Sequence, residues 1–152
     1  MTVTDDQQQQ TPSTMAEAQR HALLLRDLRD VVGFEQVRDD DITIERYSRS
    51  TSSRSTRALA VATPGSADQV AELVKVARRH KIPLYPISTG KNWGYGDACP
   101  VTGGQVIVEL SRMNRVITVD PALAYAVIEP GVTQQQLSDY LVEHQLDFWI
   151  DC

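Results

Sequence analysis

The sequence predicts one domain of mixed α+β class that follows a short polar tail. Its 152 residues are enough to bury a sizeable core, and 41% of them are hydrophobic. Two segments show helical spacing of apolar residues behind a capping signal, and short β-rich runs lie on both sides of the first of them. This alternation of strand and helix favours helices packed against a sheet.

The chain begins with a polar, low-complexity segment, residues 1–15, which we expect to be disordered. It has neither the basic start nor the apolar centre of a signal peptide. The domain itself is predicted to comprise residues 16–152. Its first helix ends at Gly33, and the apolar residues of that helix recur at spacings of three and four on one face: Ala18, Ala22, Leu25, Leu28 and Val32.

A second helix carries clear signals at both ends. Ser66 followed by Gln69 fits a capping box, and Pro83 prevents extension of the helix much beyond His80. Basic residues near its C-terminus interact favourably with the helix dipole. Its predicted apolar stripe consists of Val70, Leu73, Val74 and Ala77.

Short apolar runs at residues 58–62 and 84–87 predict strands on either side of this second helix. Strand, helix and strand in this order form a βαβ unit, whose strands are parallel and joined by a right-handed crossover. Loops that follow such strands commonly bind ligands. The residues directly after Ile87 are therefore the first candidates for a binding site.

Three further β-rich runs, residues 105–110, 115–120 and 124–130, have turn signals between them and predict an antiparallel β-meander. Thr133 with Gln136 then gives a second capping box, which predicts a helix.

The last apolar run, residues 146–151, is predicted to begin another strand or a crossing segment, with Trp149 in the core. No partner for that strand is evident in the sequence. We therefore expect the native polypeptide to be longer than these 152 residues, with the chain as the N-terminal part of a larger domain.

Charge and cysteine content argue against several function classes. The formal net charge of -5 argues against broad nucleic-acid binding, and no apolar run approaches the roughly 20 residues that a membrane-spanning helix needs. Cys99 and Cys152 are too few for a disulfide framework and lack the spacing of zinc ligands. We expect a cytoplasmic protein with no metal site, no nucleic-acid partner and no membrane anchor.

The loop PISTGKNWGYG, residues 86–96, is rich in glycine and in hydrogen-bond donors. Glycines let backbone N–H groups converge on an anion, while Ser88, Thr89, Lys91 and Asn92 add hydroxyl, ammonium and amide donors. The glycine spacing matches neither the dinucleotide-binding fingerprint nor the phosphate-binding loop of nucleotide hydrolases. From these residues alone, a phosphate or pyrophosphate site and an ordinary structural turn both stay open.

Three ordered segments, PISTGKNWGYG, MNRVITVD and AYAVIEPGVTQQQLSDYL, resemble the N-terminal part of the FAD-binding domain of the vanillyl-alcohol oxidase and p-cresol methylhydroxylase family. The resemblance covers residues 37–151. It implies FAD as the cofactor, with the glycine-rich loop wrapped around the pyrophosphate and a second segment near the cofactor. The FAD-contacting residues that it implies are Pro86, Ile87, Ser88, Thr89, Gly90, Lys91, Asn92 and Gly94 in the loop, and Glu129, Pro130, Gly131 and Val132 in the second segment.

The resemblance also implies a reaction. In phenol-oxidising members of the family the tyrosine of the GYG triplet holds the substrate phenolate, and Tyr95 matches it; plain packing of Tyr95 is the alternative. The implied substrate is a 4-alkylphenol or 4-hydroxybenzyl alcohol, oxidised by hydride transfer to FAD. Either oxygen or a cytochrome would accept the electrons, and the full-length protein would be a homo-oligomer. Residues 90–92 lack the GGH pattern of some branches, so attachment of the flavin through a loop histidine is excluded.

A second interpretation stays open beside this one. The chain could be a non-catalytic nucleotide-binding or interaction module that keeps the shape of the loop without its chemistry. The family's catalytic acid, base and arginine residues belong to a substrate domain that these 152 residues do not include. We therefore expect the chain by itself to be inactive and to bind FAD weakly.

Overall fold

The computed structural model describes residues 12–50, 55–91 and 98–150. They form four helices, a short 3-10 helix and six strands. In chain order these are α1 (Pro12–Val32), the 3-10 helix (Phe34–Gln36), β1 (Val37–Arg38), α2 (Asp41–Ser48), β2 (Ala60–Ala62), α3 (Ala67–His80), β3 (Leu84–Ile87), β4 (Val106–Glu109), β5 (Val116–Asp120), β6 (Tyr125–Ile128) and α4 (Gln134–Glu143).

The central sheet has the strand order β1-β2-β4-β3. β4 lies between β2 and β3 and runs parallel to both, whereas β1 pairs antiparallel with β2 at one edge. β5 and β6 form a separate antiparallel hairpin. Because three neighbouring strands are parallel, they end at the same edge of the sheet, next to the loops that follow Ile87 and Glu109.

Two clusters of buried side chains cover the two faces of the central sheet. α1 and α3 pack on one face, where Leu28 and Leu73 share a cluster with Val106 of β4. α2 packs on the other face, where Ile44 shares a cluster with Ile107. Since side chains along a strand alternate between faces, β4 contributes to both clusters and is covered on both sides.

α1 and α3 are also joined by a polar contact. His80 Nε2 lies 2.8 Å from Asp27 Oδ2, and both side chains are largely buried. The hydrogen bond from His80, followed by that from Arg26, lowers the pKa of the Asp27 carboxyl to about 2. His80 precedes β3, so this contact lies at the amino-terminal edge of the parallel strands.

The mixed helix and sheet class is confirmed, and several boundaries agree with the prediction. α3 begins behind Ser66, whose hydroxyl accepts a hydrogen bond from the Gln69 N–H at 3.3 Å, and it ends at His80. β3 spans the predicted residues 84–87. α4 begins behind Thr133 with a complete capping box.

The prediction of a three-stranded antiparallel meander is wrong for the first of its three strands. Residues 105–110 supply β4, which enters the central sheet as a parallel strand, and only β5 and β6 form an antiparallel pair. The reason is visible in the burial of Val106, Ile107 and Val108, all of which are buried. A continuous apolar run of this kind is typical of a central parallel strand, whereas half-exposed antiparallel strands alternate.

α2 was not predicted. The Asp40 carboxylate caps it by accepting a hydrogen bond from the Thr43 N–H at 2.9 Å, and the helix buries Ile44 and Tyr47. The capping residue Asp40 and the apolar residues at a spacing of three, Ile44 and Tyr47, are present in the sequence. However, a helix of eight residues is too short for its helical periodicity to stand out.

Three side-chain placements also differ from the prediction. In α1, Ala18 and Ala22 are exposed, and Leu24 is buried beside the predicted Leu25. In α3, Val74 is 52% exposed, and Val76 is buried in its place. The buried stripes are therefore shifted around each helix relative to the predicted ones.

The two ends of the described chain differ from the prediction as well. α1 begins at Pro12, inside the segment expected to be disordered, because proline is well tolerated in the first turn of a helix. Residues 1–11 lie outside the described part of the chain. Residues 146–150 form no strand, and Trp149 is 86% exposed, so its predicted core position is wrong.

Candidate cofactor site

The residues that follow β3 lie at the carboxyl-terminal edge of the parallel strands. The Leu110 N–H donates to the carbonyls of Ile87 at 2.9 Å and Ser88 at 3.0 Å, which fixes the start of this loop to the residue after β4. Open sheets with parallel strands bind ligands at such edges. Residues 88–91 are therefore placed where backbone and side chains could both contact a ligand.

A second segment, residues 129–133, lies against this loop. The Ser88 hydroxyl donates to the carbonyl of Pro130, and so joins the loop after β3 to the segment between β6 and α4. The two segments that the sequence analysis assigned to the cofactor are thus in direct contact. Because this bond uses the single hydroxyl proton of Ser88, the side chain can offer a ligand only its oxygen lone pairs while the bond is made.

A cavity of about 390 Å³ lies between the two segments. Ser88, Thr89 and Lys91 line one side of it, and residues 132–135 line the other. Residues 133–135 are the N-cap and the first turn of α4, where the helix dipole and backbone N–H groups favour an anion. An ammonium group, hydroxyl groups and a helix N-terminus therefore surround one volume.

Two glycines allow the backbone to take this shape. Gly90 has a φ of +69°, in the left-handed region that strains other residues. At Gly131 the constraint is steric, because a Cβ atom would lie 2.1 Å from the Leu110 carbonyl oxygen and 2.8 Å from that of Met113. The absence of a side chain at Gly131 lets the second segment pass directly over the turn that follows β4.

Glu129 holds the beginning of the second segment in place. Its Oε2 accepts a hydrogen bond from the Arg115 N–H at 2.9 Å, and its Oε1 accepts from the Arg115 guanidinium at 3.0 and 2.6 Å. The hydrogen bond from the Arg115 side chain, followed by that from its backbone, lowers the pKa of the Glu129 carboxyl. Both carboxylate oxygens are thus engaged within the β5–β6 hairpin.

These features together fit a pyrophosphate group. Lys91 supplies a cation, the first turn of α4 supplies oriented N–H groups, and Gly90 and Gly131 keep side chains away from the backbone that forms the walls. Among the described residues, no three His, Cys, Asp or Glu side chains gather into a metal-binding group. The chemistry of this cavity is therefore that of an anion site built from backbone and a lysine.

Comparison with known proteins decides the family. Residues 58–152 match the family model described as an FAD binding domain. The chain belongs to this FAD binding domain family. The cofactor implied by the sequence resemblance, FAD, is thereby confirmed, and the cavity between the two segments is its candidate pyrophosphate site.

Two relatives and two solved structures show which members of the family this chain is similar to. It is 49% identical over 87 residues to the 4-cresol dehydrogenase (hydroxylating) flavoprotein subunit of Pseudomonas putida, covering 57% of this chain and 17% of the relative. It is 44% identical over 117 residues to 1'-carboxy-chondrochloren decarboxylase of Chondromyces crocatus, covering 77% of this chain and 22% of the relative.

The structural matches are to p-cresol methylhydroxylase with bound substrate and to 4-ethylphenol oxidase from Gulosibacter chungangensis. The first has a TM-score of 0.79 and 36% identity, and covers 84% of this chain and 25% of that one. The second has a TM-score of 0.80 and 35% identity, and covers 88% of this chain and 26% of that one. The resemblance to the p-cresol methylhydroxylase family is confirmed, and the chain spans about a quarter or less of the length of these proteins.

The predicted FAD-contacting residues occupy different positions relative to the cavity. Ser88, Thr89, Lys91 and Val132 line it, and Gly90 and Gly131 are chain neighbours of lining residues. Ile87 is buried in the core and Pro86 is exposed, and neither of them lines the cavity. Asn92, Gly94 and Tyr95 lie outside the described residues.

The sequence analysis missed two residues that line the cavity, Gln134 and Gln135. Thr133 was predicted as a helix cap at the end of the second segment, which the resemblance places near the cofactor. The signal was nevertheless available, because a capping box marks a helix N-terminus and a helix N-terminus favours phosphate.

We expect the variant Glu129→Gln to melt at a lower temperature than the parent chain at neutral pH. The lowered pKa of Glu129 means that its carboxylate stabilises the fold above its usual pKa of 4.5 and that this contribution is lost as the pH falls through the folded-state pKa. The difference in melting temperature between the two proteins should therefore be constant at neutral pH and shrink as the pH falls below 4.5. Glu143→Gln, at the exposed end of α4, serves as the control, and a constant offset at every pH for Glu129→Gln would contradict this role.

Within the described ranges, no helix combines the length and apolar character that crossing a bilayer requires.

Proposed function

We propose that this chain supplies the FAD-binding portion of a flavin-dependent oxidoreductase that acts on 4-alkylphenols or 4-hydroxybenzyl alcohols. One observation carries the proposal: the relative of highest identity reported above and both structural matches have names that refer to cresols or alkylphenols. The substrate class is inferred from that similarity.

In the proposed reaction, this chain holds the cofactor. Lys91 and the first turn of α4 would neutralise the pyrophosphate charge, while Gly90 and Gly131 let the backbone approach it closely. When bound, FAD supplies a two-electron acceptor for a hydride from the benzylic carbon. The phenol loses its hydroxyl proton and that hydride, which leaves a quinone methide that water can attack.

Tyr95 is proposed to bind the phenolic oxygen of the substrate. A tyrosine hydroxyl beside a phenolate donates a charge-assisted hydrogen bond and favours the anionic substrate, from which hydride loss is easier. In the natural product, Tyr95→Phe should lower kcat/KM more at a pH below the substrate pKa than above it. An unchanged pH profile would contradict this role of Tyr95.

The proposal is tested with the natural gene product that carries this sequence. After purification it should show the blue and near-UV absorption bands of flavin. Anaerobic mixing with 4-cresol or 4-ethylphenol should bleach the flavin, and re-oxidation by oxygen or by added cytochrome c then identifies the electron acceptor. A product that neither contains nor binds flavin would contradict the proposal and favour a non-catalytic module.

A second candidate function is favoured by a separate observation. The relative that covers 77% of this chain is named a decarboxylase, and it belongs to the same set of similar proteins. A substrate with a carboxyl group would then lose carbon dioxide. If flavin is bound but only a carboxylated phenol bleaches it, with release of carbon dioxide, this second function replaces the first.

A further inference from the structure

A buried tyrosine lies beneath the candidate cofactor loop, and neither the family match nor the proposed function assigns it a role. Tyr47 of α2 is 6% exposed, and its hydroxyl donates to the carboxylate of Glu109. Glu109 is the last residue of β4, the central strand of the sheet. The hydrogen bond therefore joins α2 to the edge of the sheet at which the loop begins.

Glu109 is paired in register with Ile87, the last residue of β3. Ile87 belongs to the same buried cluster as Tyr47, together with Ile44 and Ile107. Residues 88–91 begin directly after Ile87, and the Leu110 N–H, next to Glu109, donates to the carbonyls of both Ile87 and Ser88. The Tyr47 hydrogen bond thus holds the end of β4. That end is paired with the end of β3, from which the loop begins.

The loop also rests on this cluster through Gly90. A Cβ atom at Gly90 would lie 3.5 Å from Ile87 Cδ1 and 3.4 Å from the Ala98 Cβ, so both side chains lie close to the loop at Gly90. Ala98 packs against the cluster that contains Tyr47. Tyr47 and Ile87 therefore share a buried cluster that lies next to the left-handed glycine of the loop.

We propose that Tyr47 is a positioning residue for the FAD-contacting loop, and that it acts through Glu109 to hold the strand ends from which residues 88–91 project. The proposal rests on the proposed function for the identity of the ligand. Burial, followed by the hydrogen bond to Glu109, raises the pKa of Tyr47 to about 12, so the hydroxyl keeps its proton and remains a donor at neutral pH. Arg46 lies over the Tyr47 ring, with its guanidinium carbon 5.7 Å from the ring centre.

The test uses Tyr47→Phe and Glu109→Ala in the full chain, with hydrogen exchange measured first without ligand. Both variants should speed amide exchange in residues 84–91, relative to α3 of the same protein, by about tenfold, the effect of losing one hydrogen bond to a charged group. Glu109→Gln keeps an oxygen that can accept from Tyr47 and should restore the parent rate. His80→Ala removes a part-buried hydrogen bond at the opposite edge of the sheet and should affect only α1 and α3.

FAD affinity is measured next by quenching of flavin fluorescence. Tyr47→Phe and Glu109→Ala should weaken binding by about tenfold, and His80→Ala should not, even when its melting temperature falls by the same amount. Unchanged exchange of residues 84–91 in both Tyr47→Phe and Glu109→Ala, or an equal increase in every segment, would overturn the proposal. These affinities are measured in the natural gene product that carries this sequence. If that protein binds no FAD, the proposed function fails, while the exchange result still decides whether Tyr47 positions the loop.

Discussion

Gly131→Ala is expected to destabilise the chain by about 3 kcal/mol, or to prevent folding, because the added methyl group has no space. It would lie 2.1 Å from the Leu110 carbonyl oxygen, 2.8 Å from the Met113 carbonyl oxygen and 2.9 Å from the Leu110 carbonyl carbon. All three are backbone atoms, which cannot move aside as the end of a flexible side chain can. The measurement is the free energy of unfolding in a denaturant titration.

The same clash would break the bonds that fix the second segment. The Leu110 carbonyl accepts from the Met113 N–H at 2.9 Å, and the Met113 carbonyl accepts from the Gly131 N–H at 2.8 Å. Gly103→Ala is the matched control, because a Cβ there meets its nearest atom at 3.5 Å and the backbone is not left-handed. The control should change stability by less than about 1 kcal/mol, and equal effects of the two substitutions would contradict the close approach at Gly131.

Gly90→Ala is expected to lower FAD affinity by about tenfold or more, an effect comparable to the loss of one hydrogen bond to a charged acceptor. The φ of +69° at Gly90 strains an alanine by about 1 to 2 kcal/mol, so the loop should move away from its present conformation beside the cavity. Space is not the obstacle, because the nearest atom to the new methyl group is 3.4 Å away. The FAD dissociation constant is measured by fluorescence titration.

Gly104→Ala is the control for Gly90→Ala. Gly104 has a φ of +76° with no atom within 4 Å of an added Cβ, and it precedes β4 at the edge of the sheet opposite to the cavity. Both variants should lose similar stability, because both force alanine into the same backbone region. If both also lost FAD affinity to the same extent, the loss would reflect global stability, and the role of Gly90 in binding would be contradicted.

Much of the fold could be predicted because its elements carry local signals. α3 and α4 begin behind Ser66 and Thr133, whose hydroxyls accept hydrogen bonds from residues three positions later, and such caps are readable in any sequence. The pairing order of the strands carries no comparable local signal. β4 lies between β2 and β3, where its three apolar side chains, which point to both faces of the sheet, are all buried; only the assembled sheet provides that burial.

The candidate site could be predicted only in part. The glycine spacing of the loop left an ordinary turn open, and the family resemblance predicted two cofactor segments, which lie in contact in the structure. Which of their side chains can face a ligand, and which are used to hold the fold, depends on contacts between residues far apart in the sequence. Ser88 bonds to Pro130, 42 positions away, and Glu129 bonds to Arg115, 14 positions away, so neither side chain is simply directed at a ligand.

The most direct test of the account is hydrogen exchange of the natural product with and without FAD. The two segments at the cavity should be protected by the cofactor, with slower exchange at residues 87–91 and 130–135 than in the ligand-free protein. The α1 and α3 surface around Glu17, His21 and His80 should exchange at the same rate in both states. Protein that binds FAD while residues 87–91 and 130–135 exchange as they do without it would contradict the assignment of this cavity to the pyrophosphate.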